Sequence, residues 1–167
     1  MIKIAIIGGS ATGKSSAARR LAQQHDFPVR HCGDKVKRLA SARGVPFAAL
    51  GDDDHRAVDL ETKAFVKQAR SLVVEGRYLH YVLATFAAEE ELRVVELTAG
   101  IETRRRRLEN RSGSTTDTLA ISQSDQGDAY FVSRLYPTEV PLTAVCVDTT
   151  ALDEQQVVDA ILRAVSQ

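Results

Sequence analysis

The chain has 167 residues, 44% of them apolar and 26% charged, with a formal net charge of zero. These are values of one globular domain able to bury a sizeable core, and no apolar run approaches the ~20 residues of a bilayer-spanning helix. The charge is uneven: residues 1–50 hold nine Lys/Arg and two Asp/Glu, residues 51–167 thirteen and twenty. That distribution suits a small polyanion better than a polynucleotide, which calls for a broader basic face. A strand begins within two residues of Met1, with no signal-type segment before it, so a cytoplasmic location is the expectation. Cys32 and Cys146 are expected in separate strands as reduced core residues, because neither belongs to a C-x-x-C or Cys/His cluster.

The first element is the apolar strand Ile4–Ile7. Gly8, Gly13, Lys14 and Ser15 follow it in the spacing G-x-x-x-x-G-K-[ST], with Gly9, Ser10, Ala11 and Thr12 between and Ser16 after. This is a phosphate-binding loop: glycines at 8, 9 and 13 allow successive backbone N–H groups to wrap a phosphate chain. Lys14 opens a helix whose N-terminus adds positive potential, and its ammonium can reach the β- and γ-phosphates, while Ser15 is the expected Mg²⁺ ligand.

The first helix is expected over 14–25, with Ala17, Ala18, Leu21 and Ala22 inward, and ends at His25-Asp26-Phe27-Pro28. A short strand at 29–32 precedes a helix from Gly33-Asp34 to Arg43, where Asp34 is also placed to cap. After a glycine- and aspartate-rich connection with one helical turn at 46–50, a helix spans 54–70 with Val58, Leu60, Ala64, Phe65 and Ala69 as its apolar contacts. Residues 71–74 form the third strand, closed by Glu75-Gly76-Arg77. A short helix over 78–88, a fourth strand at 92–97 and a helix at 100–111 follow. Residues 112–128 are Ser/Thr/Asp/Gln/Gly-rich and weakly patterned, with a helical turn near 130–136. The fifth strand is expected at 143–147. Thr150–Asp153 resembles a capping box before a last helix striped by Val157, Val158, Ile161, Leu162 and Val165.

Strands alternating with helices imply one three-layer α/β/α domain over 1–167, built on a five-stranded parallel sheet. Ligands of such sheets bind beyond the strand C-termini, where Gly8–Ser15, Asp34, Glu75–Arg77, the arginine helix and Thr149–Ala151 all fall. A common GTPase would carry N-K-x-D, but Asn110 is the chain's one asparagine. An extended ATPase with sensor and finger elements needs more chain.

The remaining features resemble the nucleoside monophosphate kinase family, in its short cytidylate-kinase-like branch. The resemblance runs through the loop at 8–15, Gly33-Asp34 with the basic residues after it, Glu75-Gly76-Arg77, Arg107-Leu108-Glu109-Asn110-Arg111, Arg134-Leu135-Tyr136 and Val147-Asp148-Thr149. It implies a P-loop kinase fold with a lid over about 112–134 and an acceptor-binding region over about 33–70. It also implies ATP and Mg²⁺, with Arg77 gripping the acceptor's phosphate and Asp34 with Lys37 or Arg38 lining the acceptor site. Arg107 would stack on adenine and Arg111 would touch the phosphates. The spacing agrees, since Arg104, Arg107 and Arg111 share one helix face and a guanidinium both stacks and clamps phosphate. Glu75 is a candidate for holding Mg²⁺-bound water or orienting the acceptor, with Asp34 its rival. His31, His55 and His80 have no recognisable partner and read as solvated or core histidines.

Two departures bear on the acceptor. Family lids carry arginines, whereas residues 112–133 contain no Lys or Arg and place Gln123, Asp125 and Asp128 there instead, leaving Arg134 nearby. Asp59-Leu60-Glu61 lacks the arginine that cytidylate kinases resemble at this point. Three functions stay open: phosphoryl transfer to a nucleoside monophosphate of CMP type; transfer to the hydroxyl of a nucleoside, sugar or other small metabolite; and an ATP-binding regulatory protein with little turnover. A monomer or homodimer with no membrane partner is expected.

Overall fold

Strand β1 (Lys3–Ile7) lies at the centre of a five-stranded parallel sheet, ordered β2-β3-β1-β4-β5. The computed structural model describes residues 2–86 and 92–166. The other strands are β2 (Val29–His31), β3 (Leu72–Glu75), β4 (Leu92–Thr98) and β5 (Val145–Asp148). In register, Ile6 of β1 lies beside Glu75 of β3 and Val95 of β4, so the C-terminal ends of the three inner strands reach the same edge.

The alternation of β1 divides the core in two. Ile4 and Ile6 face one side with helix α1 (Lys14–His25) and helix α7 (Glu154–Val165), while Ala5 and Ile7 face the other with Val66, Leu79, Leu83 and Phe86. Inner strands buried on both faces read as continuous apolar runs, as Ile4–Ile7 and Leu72–Val74 do. The second side is covered by helix α3 (Asp52–Gln68) and the short helix α4 (Leu79–Val82). Helix α2 (Cys32–Arg43) packs against α3 and a 3₁₀ turn at Phe47–Ala49. Helices α5 (Ile101–Ser112) and α6 (Thr118–Leu135) follow β4 and pack together.

The expected elements are present with several differences. Residues 118–135 form a continuous 18-residue helix rather than a weakly patterned segment ending in one turn. Only Ile121 and Leu135 of α6 are buried; its inward face is built of polar contacts, so no apolar stripe announces it. The expected helix at 78–88 is instead α4 and a 3₁₀ turn at Ala84–Phe86, its last two positions lying outside the described residues. On α3, Val58 is buried but Leu60 is 67% exposed, and Thr62 and Val66 face inward instead. Asp34 does not cap α2: the cap position is His31, and Asp34 lies in the first turn. At α7 the capping box is formed by Asp153 and Gln156, one turn after Thr150. Cys146 is exposed on the edge strand β5, and Cys32 opens α2 rather than ending β2.

Candidate active site

The loop between β1 and α1 adopts positive φ at three points, Gly8, Ala11 and Gly13, two of them glycine. Gly8 and Gly13 have φ of 136° and 99°, and a Cβ at Gly8 would lie 2.2 Å from the Leu97 carbonyl. Thr12 donates to the Gly9 carbonyl at 3.1 Å, and Lys14 Nζ donates to the same oxygen at 2.5 Å. Lys14 is only 8% exposed. Burial pulls its ammonium from 10.5 down to about 8, against the opposing pull of Glu75. A buried cation whose one hydrogen bond goes to a backbone carbonyl is a ready partner for an anion. Together with the N-terminus of α1 it fits a phosphate chain.

Glu75, at the end of β3, is buried beside the loop. Ser15 Oγ donates to Glu75 Oε1 at 3.2 Å, and His31 Nδ1 lies 3.0 Å from the same oxygen. The absence of a partner expected for His31 is thus overturned, because the pairing of β2 with β3 places His31 opposite Glu75. Among the described residues no group of three or more His, Cys, Asp and Glu side chains could hold a metal alone. A hydroxyl and a carboxylate of this kind fit Mg²⁺, which keeps waters and takes the rest of its shell from phosphates.

Two arginines converge on Ser10, next to the carbonyl that holds Lys14. Arg77 Nη2 donates to Ser10 Oγ at 2.5 Å, and Arg104 Nε donates to the Ser10 carbonyl at 2.8 Å. Both are also held by α6. Arg77 Nη1 lies 2.5 and 2.7 Å from the two Asp128 carboxylate oxygens, and Arg104 makes a two-pronged pair with Asp125 at 2.7 and 2.8 Å. Tyr78 adds its hydroxyl to Asp128 at 2.6 Å. Burial and the Asp128 carboxylate push the Tyr78 hydroxyl upward, and Arg104 holds the Asp125 carboxyl below its ordinary range. Arg104 faces the loop together with Arg107, as the i, i+3 spacing requires, but its contact with Ser10 was not legible: nothing local says which loop a helix face meets.

On the same face of α5, Arg107 donates to the Ala11 carbonyl at 3.3 Å, to Thr149 Oγ1 at 3.0 Å and to the Thr149 carbonyl at 2.7 Å. Thr149, fully buried, has its hydroxyl within reach of the carbonyls of both Thr12 and Thr98, at 3.0 and 2.9 Å, sharing one proton between them, so it ties the end of β5 to the loop. Arg111 is exposed one turn on, at the cavity's edge.

One cavity of about 1150 Å³ joins these parts. Its floor is Ser10, Ala11 and Gly13–Ala17 with Glu75; one end reaches Arg107 and Arg111, the other α2, α3 and α6. The second end is aromatic. Tyr78 stacks on Phe131 at 4.9 Å, His55 meets Phe131 edge-on at 4.7 Å, and Phe47 approaches His55 at 6.2 Å. Asp59 lies in the same wall, receiving the Tyr136 hydroxyl at 2.6 Å, and burial raises its carboxyl above the usual range. Asp34 lines the rim, 3.9 Å from Lys37. Thus Lys14, Ser15, Glu75, Arg77, Asp34, Arg107 and Arg111 all reach the cavity. Arg134 does not line it: it pairs with Asp52 of α3 at 2.7 Å and covers the rings of Tyr130 and Phe131.

A family model described as an AAA domain matches residues 4–126, from β1 into α6. The chain belongs to this family. Within it the chain is a P-loop protein of cytidylate-kinase-like kind: a cytidylate kinase of Methanocella arvoryzae is 26% identical, over 98% of this chain and 97% of its own length. One of Methanopyrus kandleri is 24% identical, over 98% and 93%. Among solved structures, a gluconokinase from Sinorhizobium meliloti superposes with a TM-score of 0.70 at 18% identity, covering 99% of this chain and 91% of that one. A shikimate kinase from Acinetobacter baumannii superposes at 0.65 and 16% identity, covering 98% and 92%. The sheet and flanking helices are those of P-loop kinase folds.

Proposed function

We propose that this protein is a phosphotransferase that moves the γ-phosphoryl group of Mg²⁺–ATP onto a small acceptor, either a pyrimidine nucleoside monophosphate such as CMP or a modified relative, or the hydroxyl of an uncharged metabolite. The observation that carries the reading is the position of Arg77. It stands at Ser10, between the phosphate loop and the aromatic end of the cavity, where a donor's last phosphate and an acceptor's phosphate would meet. The full-length likeness to two cytidylate kinases supports the first of these acceptor classes.

In this reading residues 8–16 hold the donor phosphates, Arg107 packs on adenine and Arg111 reaches the phosphates. Ser15 with Glu75 would hold Mg²⁺, which would supply positive charge against the donor phosphates. Lys14, Arg77 and Arg104 place three cations around one end of the loop. For a loose phosphoryl-transfer transition state, placement and charge neutralisation of this kind carry most of the rate, and no strong base is required. The whole of 1–167 acts as one domain, with 33–70 forming the acceptor wall, including Asp34, and 112–134 the lid.

A second acceptor class, the hydroxyl of an uncharged metabolite, is favoured by one contact: the Arg77 guanidinium is already joined to Asp128. The test is ADP release from Mg²⁺–ATP against CMP, dCMP, UMP, AMP, cytidine and small hydroxyl compounds, with Lys14→Ala as the blank. A responding monophosphate supports the first class and a responding neutral compound the second. ADP release that no acceptor stimulates would refute the kinase reading.

A further inference from the structure

We propose that Asp128 is the residue that sets the charge of the acceptor: its carboxylate occupies the place on Arg77 that an anionic acceptor needs, so the site favours acceptors without a phosphate. The inference rests on the kinase reading above and decides between its two acceptor classes.

The contact is built from several sides. Arg77 Nη1 spans both Asp128 oxygens and also donates to Ser124 at 3.3 Å, while Nη2 is held by Ser10. Asp128 is fixed in turn by the Tyr78 hydroxyl, and the Tyr78 ring is fixed by stacking on Phe131. One turn earlier on α6, Asp125 holds Arg104 in the same manner, so α6 brings two carboxylates, three residues apart, onto the two arginines at Ser10.

The rest of the acceptor end does not restore positive charge. Lys37 faces Asp34 at 3.9 Å, and Asp59 adds a third carboxyl group to the wall. A phosphate monoester, carrying nearly two negative charges at neutral pH, would meet three acids and two cations that already have partners. An uncharged compound with a flat ring meets the Phe131, His55 and Phe47 rings, with Asp59 and Tyr136 available to its polar edge, and leaves the Arg77–Asp128 pair in place. Such a pair then neutralises Arg77 during binding and keeps its guanidinium aimed at the loop.

The experiment uses inorganic phosphate as the probe, titrated by calorimetry onto protein saturated with Mg²⁺ and a non-hydrolysable ATP analogue, so that the loop itself is filled. Asp128→Asn keeps an oxygen for the Tyr78 hydroxyl while removing the charge; Asp128→Ser is the second variant. Each is expected to bind phosphate about tenfold or more tightly than the unsubstituted protein, since one full charge in direct contact has been removed, and the gain is expected to vanish in Arg77→Ala/Asp128→Asn. In turnover, the kcat/KM ratio of CMP over cytidine should rise by a similar factor in Asp128→Asn. Unchanged phosphate affinity in both single variants, or a gain that survives Arg77→Ala, overturns the proposal. If no acceptor is phosphorylated at all, the kinase reading fails while the phosphate titration still reports on Asp128.

Discussion

Lys14→Met separates what the loop lysine does for chemistry from what it does to the fold. Methionine keeps an unbranched stem of similar length and removes the charge. In the folded protein burial lowers the Lys14 pKa from 10.5 to about 8, so between those values the unfolded chain holds a proton that the folded chain does not. The charged lysine therefore destabilises the ligand-free fold, fully below pH 8 and progressively less as pH rises toward 10.5. At about 1.4 kcal/mol per pH unit the cost near pH 7 is about 3 kcal/mol, falling below about 1 kcal/mol at pH 10. Urea unfolding should thus show Lys14→Met to be more stable than the parent at pH 7, with most of the gain gone at pH 10. The same variant should lose about 10²-fold or more in turnover, the scale of removing one preorganised charge from a transition state. A Met variant that is less stable at pH 7, or equally stabilised at both pH values, would refute the burial argument; near-normal turnover would refute the loop's role in catalysis.

Arg77→Ala should raise KM for the acceptor much more than KM for ATP in steady-state assays, because the proposed reading puts Arg77, held at Ser10, on the acceptor side; a defect confined to ATP would move it to the donor side. Arg107→Ala should weaken binding of an ATP analogue about tenfold, in line with the loss of a stacking and charged contact, and unchanged affinity in calorimetry would make Arg107 a strut for Thr149 alone. Gly8→Ala should destabilise the fold by roughly 3 kcal/mol or more, since a positive φ and a backbone oxygen at 2.2 Å act together. A melting temperature within about 2 °C of the parent would show that the loop can shift.

The glycine-rich turn after β1, helix α1, the parallel sheet and the last helix were legible in the residues themselves. Their signals are local: a glycine-lysine-serine spacing, the apolar runs Ile4–Ile7 and Leu72–Val74 of inner strands covered on both faces, and an apolar stripe at 157, 158, 161 and 165. The same local rules placed Glu75 and Arg77 at the end of β3, hence beside the loop. Helix α6 escaped because its inward side is Ser124, Asp125 and Asp128 rather than apolar residues, and a periodicity test reads apolar burial only. His31 gained its partner from strand pairing across 44 positions, and Arg104 gained Ser10 across 94. The order of chain residues therefore determined the turn at Gly8–Ser15, through backbone conformation and helix start. Which charges surround that turn was decided by tertiary structure alone, because ion pairs such as Arg77–Asp128 and Arg104–Asp125 form between elements whose approach no local pattern encodes.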